Sequence, residues 1–238
     1  MDAVPHNSVP IIDQQHFNKY AAAWAREVSR HRVLTPVFQQ PGGGPLLAVR
    51  FPFEALVSLM STVGARRIKA QFLLKHDEES DDKRFALALY ATDAQDGRIS
   101  AYYLAEYLPA PSTPELGDQI PHELVSIWLR NWQQAQEKTA DMFSSNYGPL
   151  MGYTFDVADF MDPIFYSQQL SNKELRVNFA LHAYYPAFPD PHTLKQTFGL
   201  ALRIYSTTPS GQPGNNAPTG DPAGAPFYDL STPNPPGY

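Results

Sequence analysis

The stretch "TFGLALRIYSTT", Thr197 to Thr208, shares Phe-x-Leu-Ala-Leu with "RFALALYATD", Arg84 to Asp93. In each, apolar residues recur at every second position: Phe85, Leu87 and Leu89 in one, Phe198, Leu200 and Leu202 in the other. That is the period of a strand with one buried face. Whether the two are related decides the fold. Upstream, "IKAQFLLK" (Ile68–Lys75) matches "LRVNFALH" (Leu175–His182), pairing Lys69 with Arg176, Gln71 with Asn178 and Phe72 with Phe179. Further back, Phe51 matches Phe155 and Leu56 matches Phe160 at the same offset. Unrelated amphipathic strands also converge on alternating Phe and Leu, because one face must be buried. The shared order of elements favours an internal duplication.

The elements around these strands follow from spacing and breakers. Asp13 is placed to cap a helix running to about Arg32, with Phe17, Tyr20, Ala21, Trp24 and Val28 on one face. "QQPGGGP" (Gln39–Pro45) breaks it. "LLAVRF" (Leu46–Phe51) reads as a strand. A short helix is expected over Pro52–Gly64, with Pro at its start and Gly past its end. Strands are expected over Arg66–His76, Arg84–Asp93 and Ile99–Leu108, with an Asp-Gly turn before the last. A second long helix, His122–Lys138, presents Leu124, Ile127, Trp128, Trp132 and Ala135. Strand, helix, strand and strand then follow to Thr207.

These readings predict an α+β protein: an antiparallel sheet with helices on one side, built from two copies of a helix-strand-helix-strand-strand unit about a pseudo-two-fold axis. The copies span 1–108 and 122–205, packed as one globular body and joined by a Pro-rich connector at 109–121. A Pro/Gly-rich tail occupies 206–238; its composition cannot build a core of its own.

The chain carries a net charge of -6 and no cysteine. The charge argues against a general nucleic-acid binder. The missing thiols exclude disulfides, cysteine zinc sites and thiol nucleophiles. The N-terminus lacks the pattern of a secretory signal, and no run reaches the ~18 apolar residues of a membrane span. A cytoplasmic protein without membrane or nucleic-acid partners is expected.

No catalytic motif appears. His76 heads an acidic turn, "DEESDDK", that reads as a solvated hairpin loop. His182 falls opposite in phase to the buried face of its strand. Asp156, Asp159 and Asp162 share a helical spacing that could do acid–base work, but helix-start charge preference already accounts for the first two. "DAQDG" (Asp93–Gly97) resembles the start of a calcium loop without the later Glu, so a turn explains it. No metal or cofactor is expected. Tyrosines are numerous, and Tyr102 and Tyr184 each stand in a Tyr-Tyr pair that places one ring on either strand face. In the tail, "APFYDL" supplies the apolar anchors Phe227, Tyr228 and Leu230, and the terminal Pro-Pro-Gly-Tyr matches a polyproline ligand pattern. The reading that follows is a non-enzymatic binding or self-assembly module, partnered by a protein or by a second copy. It would use Tyr102, Tyr184, Phe227, Tyr228 and Leu230. The alternative is an enzyme or small-ligand binder with His76, His182, Asp156 and Asp159 lining a pocket between the copies.

Overall fold

The structure, a computed structural model of the 238-residue chain, describes residues 10–30, 33–76, 82–108, 122–145, 148–165, 173–184, 192–206 and 232–234. The elements run β1 (Ile11–Ile12), α1 (Gln14–Val28), a 3-10 turn (Thr35–Phe38), β2 (Ala48–Pro52), α2 (Phe53–Met60), β3 (Arg67–His76), β4 (Lys83–Thr92), β5 (Tyr102–Leu104) and β6 (Glu106–Tyr107). They continue with α3 (His122–Gln134), a second 3-10 turn (Ala140–Phe143), β7 (Ser144–Ser145), β8 (Gly148–Pro149), β9 (Gly152–Asp156), α4 (Val157–Phe165), β10 (Lys173–Tyr184), β11 (Lys195–Ser206) and β12 (Thr232–Asn234). The fold is α+β, and all the strand pairings among the described residues are antiparallel.

Local chemistry sets the helix ends. Asp13 accepts the His16 backbone N–H at 2.8 Å and opens α1, while the Ser29 hydroxyl bonds the Ala25 carbonyl at its end. Gly64, with φ +86, follows α2 where L side chains are strained. At α4 the caps are reciprocal: the Ala158 N–H donates to Asp156 Oδ1 at 2.9 Å, and the Asp156 N–H to Asp159 Oδ2 at 3.1 Å.

Two long hairpins form the frame. β3 and β4 pair from Arg67↔Thr92 to His76↔Lys83, and β10 and β11 from Lys173↔Ser206 to Tyr184↔Lys195. Phe72 lies opposite Leu87 and Leu74 opposite Phe85; likewise Phe179 faces Leu200 and Leu181 faces Phe198. Each hairpin then takes its third strand from the other half of the chain. β9 pairs with β3, setting Phe155 against Ile68, and β2 pairs with β10, setting Phe51 against Leu175. The result is two sheets, in strand orders β1-β5-β4-β3-β9-β12 and β11-β10-β2-β6, beside a small β7-β8 ribbon.

The two sheets share one core. Rings from both hairpins, both long helices and both 3-10 turns meet there: Trp24, Phe38, Phe72 and Phe85 from the first half, Trp132, Phe143, Phe179 and Phe198 from the second. The indole N–H of Trp24 donates to the Leu150 carbonyl and that of Trp132 to the Leu46 carbonyl, each at 3.0 Å. These bonds satisfy the indoles at full burial and pin each helix to the chain entering the opposite half's first strand.

Four sequence expectations are corrected. One sheet becomes two, because the two hairpins do not pair edge to edge but turn their apolar faces into one shared core. The helices do not share one side. The start of α1 packs on the first sheet, where Phe17 meets Leu73, Ala86 and Ala88, and α3 packs on the second, where Val125 and Leu129 meet Ala180 and Ala201. The expected strand Ile99–Leu108 splits at Ala105 into β5 on β4 and β6 on β2, so it serves both sheets. Finally, α3 packs Trp128, Trp132 and Ala135 as expected, but it also buries Val125 and Leu129 and leaves Leu124 and Ile127 51% and 47% exposed.

Replacing Trp24 or Trp132 by Ala is expected to cost about 3–5 kcal/mol of unfolding free energy each, in urea titrations. The two costs should be similar, and Val63→Ala, at a residue 95% exposed, should shift stability by less than about 0.5 kcal/mol. A cost below about 1 kcal/mol at Trp132 would contradict its central place.

Candidate functional site

The expected pocket residues do not converge. Arg67 at one end of β3 lies opposite Asp156, and His76 ends the same strand. At the rise of an extended strand they are about 30 Å apart. Asp156 and Asp159 are occupied as α4 caps, and Asp159 has its carboxyl pushed above the ordinary range chiefly by burial. His76 opens onto a polar cleft of about 440 Å³ with Lys75, Lys19, Arg84, Tyr20 and Tyr107. Arg84 there is paired with Asp82 at 2.9 Å, and the rest of the acidic turn lies outside the described residues.

His182 is set differently. Its ring stacks on Trp128 of α3 at 3.9 Å, nearly parallel. A Cβ at position 199 would lie 2.2 Å from its Nε2, so glycine on β11 is what admits the imidazole. Burial drives the pKa of His182 down from 6.5 to about 4. It is a neutral packing group that joins α3 to the second sheet.

The tyrosines also separate. Tyr102, expected at a partner surface, is only 5% exposed and stacks on Phe17 at 3.7 Å. Its hydroxyl donates to Gln14 Oε1 at 3.0 Å. β5 lies under the start of α1, and the Tyr102 ring fills the space between. Tyr184 ends β10, with its side chain outside the described residues, as are Phe227, Tyr228 and Leu230.

What the structure brings forward is the sheet edge. β9 is paired on one side with β3 and on the other with β12, in the register Thr232↔Thr154, Pro233↔Tyr153 and Asn234↔Gly152. The chain's last described segment thus completes a sheet begun near its start. Gly152 is required at this join, since a Cβ there would lie 2.2 Å from the Ala70 carbonyl oxygen. Gln71 secures the join through its Nε2, which donates to the Met151 carbonyl at 2.7 Å. Pro233 in the outermost strand offers no N–H, a composition that blunts further pairing.

The corresponding join in the second sheet is more open. Asn178, one methylene shorter than Gln71, turns its amide to the Ala201 carbonyl at 3.2 Å. A cavity of about 40 Å³ remains there, walled by Leu47, Leu129, Trp132 and Phe179. It has room for a water or two and falls far below the roughly 300 Å³ at which small-molecule sites begin. The edge strand β6 is held by charge: Arg50 bonds Glu106 at 3.0 Å and Glu174 at 3.3 Å, and Arg176 bonds Glu174 at 2.6 Å. The guanidinium of Arg176 lies 4.2 Å from the Tyr205 ring centre. Sequence reasoning missed Gly152, Arg50 and Glu174. A glycine at the start of an alternating strand was the available signal for the first; the ion pairs join distant segments and leave none.

No protein-family model, curated protein or solved structure matches this chain. Among the described residues no helix is long and apolar enough to cross a membrane.

As pH falls through the range between 6.5 and about 4, the unfolded chain protonates position 182 before the folded one does. Stability from this ring is therefore complete above about pH 6.5 and is lost toward pH 4. The wild type should lose on the order of 2–3 kcal/mol more than His182→Gln across that window. Parallel stability curves, or an imidazole NMR titration midpoint near 6.5, would refute this burial.

Proposed function

We propose that this chain is a non-enzymatic binding and self-assembly module, made by duplication of one helix-strand-helix-strand-strand unit, whose sheet edges take up extended segments. The observation that carries the reading is β12: a short segment, far along the chain from the rest of its sheet, added as the outermost strand on β9. Strand addition of this kind draws affinity from main-chain hydrogen bonds and needs no catalytic group.

The duplication is supported by contacts that recur in pairs. Trp24 stands 5.1 Å from Phe143, and Trp132 stands 4.9 Å from Phe38. Phe38–Phe85 and Phe143–Phe198 are both at 4.6 Å. The Leu46 N–H donates to the Phe38 carbonyl and the Leu150 N–H to the Phe143 carbonyl, both at 2.8 Å. These matched hydrogen bonds follow matched 3-10 turns, which supports duplication beyond the shared alternation of the strands. In this reading the units are those spanning 1–108 and 122–205, related by a pseudo-two-fold axis. The partner is a protein segment or a second copy, not nucleic acid or membrane, and the setting is cytoplasmic.

Removing residues 232–238 is expected to expose the β9 edge. Amide exchange at the β9 residues should quicken at least tenfold, stability should fall by about 1–2 kcal/mol, and light scattering should show concentration-dependent association. A synthetic peptide of residues 230–238 should restore β9 protection in trans. Unchanged β9 exchange and an unchanged mass after truncation would overturn the proposal.

A further inference from the structure

The two long hairpins are treated unequally at their outer edges. β4 is covered: Ala88 pairs with Leu104 and Leu89 with Tyr103 of β5, the Ala105 N–H donates to the Leu87 carbonyl at 2.8 Å, and the Ile99 N–H to the Ala91 carbonyl at 3.0 Å. β11 holds the matching position in the second hairpin, yet among the described residues it pairs with β10 alone. A twelve-residue strand with one open edge is a template for another strand.

We infer that the outer edge of β11 is a strand-docking surface and that its occupant is the Tyr228–Leu230 segment of the same chain. This deepens the duplication and edge-addition reading above and rests on it. Three observations point to that segment. The first is register. β6 sets Tyr107 opposite Val49, and β12 sets Pro233 opposite Tyr153. Val49 and Tyr153 hold matching places, facing Val177 and Ala70, each two residues before the hairpin Phe. The offset that carries Tyr107 onto Pro233 also carries Tyr102-Tyr103-Leu104 onto Tyr228-Asp229-Leu230, a second Tyr-x-Leu.

The second observation is packing. On the first sheet, Tyr102 and Leu104 complete an apolar cluster with Phe17, Leu73, Ala86 and Ala88. On the second, Val125, Leu129, Ala180 and Ala201 form the corresponding cluster, with no Tyr or Leu from an edge strand among the described residues. Tyr228 and Leu230 supply those two side chains. The third is order along the chain. β5 and β6 follow β4 directly, and Tyr228–Leu230 stands before β12 as β5 stands before β6. The inferred pairing sets Leu230 opposite Ala201 and Asp229 opposite Leu202, with the amides of Leu200, Leu202 and Ile204 facing the added strand.

The absence of cysteine makes a crosslinking test clean. Ala201→Cys with Leu230→Cys places two sulfurs at directly paired positions, within disulfide reach. Ala201→Cys with Phe227→Cys places them three residues out of register. The first pair should oxidise at least tenfold faster than the second and give a monomer closed on itself. Equal rates, or a disulfide between two copies, would overturn the inference. Because Ala201 is buried, Leu230→Ala alone gives a second reading. It should quicken amide exchange at Leu202 at least tenfold, and unaltered exchange there would also overturn the inference. Deleting 232–238 should leave Leu202 protected while exposing β9, so failure of this inference and failure of the edge-addition reading are told apart.

Discussion

The exchange of first strands between the halves is the constraint on which the rest depends. Without β10, β2 keeps only the two-residue β6, and without β3, β9 keeps only the three-residue β12. Each crossing strand is fixed by an indole of the opposite half's helix, through the Trp24 bond to Leu150 and the Trp132 bond to Leu46. Neither half can therefore bury its hairpin face without the other. A two-stranded hairpin is marginal alone, and the crossing turns two such hairpins into the walls of a single aromatic core. Gly152 shows how tight the join is: β9 approaches the β3 backbone where even a methyl group would collide.

Two open sheets, unlike a barrel, leave edges, and much of the remaining sequence deals with them. Tyr102–Tyr107 is shared between the sheets, β5 closing β4 and β6 closing β2. The Arg50, Glu106, Glu174 and Arg176 network ties β6 down on the half-exposed face of the second sheet. β12 takes the corresponding place on β9, and its proline offers no N–H. The Pro/Gly-rich region is thus an edge-forming part of the fold at Thr232–Asn234, although its composition alone reads as a tail.

The sequence carried the parts of the fold that are local. Alternation in "RFALALYATD" and "TFGLALRIYSTT" placed both hairpins, helical spacing placed the α1 face, and Asp13 and Asp156 announced their helix starts. The strand crossing was not legible, because pairing between segments so far apart leaves no periodic trace in either. The face of α3 was read only in part: Trp128, Trp132 and Ala135 pack as expected, but at the start of the helix two stripes compete, one through Leu124 and Ile127 and one through Val125 and Leu129. Local pattern cannot choose between them; the small residues Ala180 and Ala201 of the facing hairpin do. Tyr102 was misjudged for a related reason. Alternation says that neighbouring rings point to opposite faces, but not that α1 covers one of those faces.

The same geometry bears on the proposed reading. An active site between the halves would need polar groups to converge where the halves meet, and that region is filled by eight aromatic rings. His182 is neutral and stacked under Trp128, Asp156 and Asp159 hold a helix start, and His76 stands a strand's length away from them. The halves differ instead in how their edges and joins are finished. Gln71 closes one join where Asn178 leaves a small cavity, Ala86 has Gly199 as its counterpart to admit His182, and β4 is covered where β11 is open among the described residues. Differences concentrated at strand edges, around core contacts that recur in the two halves, support the proposal of edges that take up extended backbone, because main-chain pairing at an edge is set by register and access and not by reactive groups.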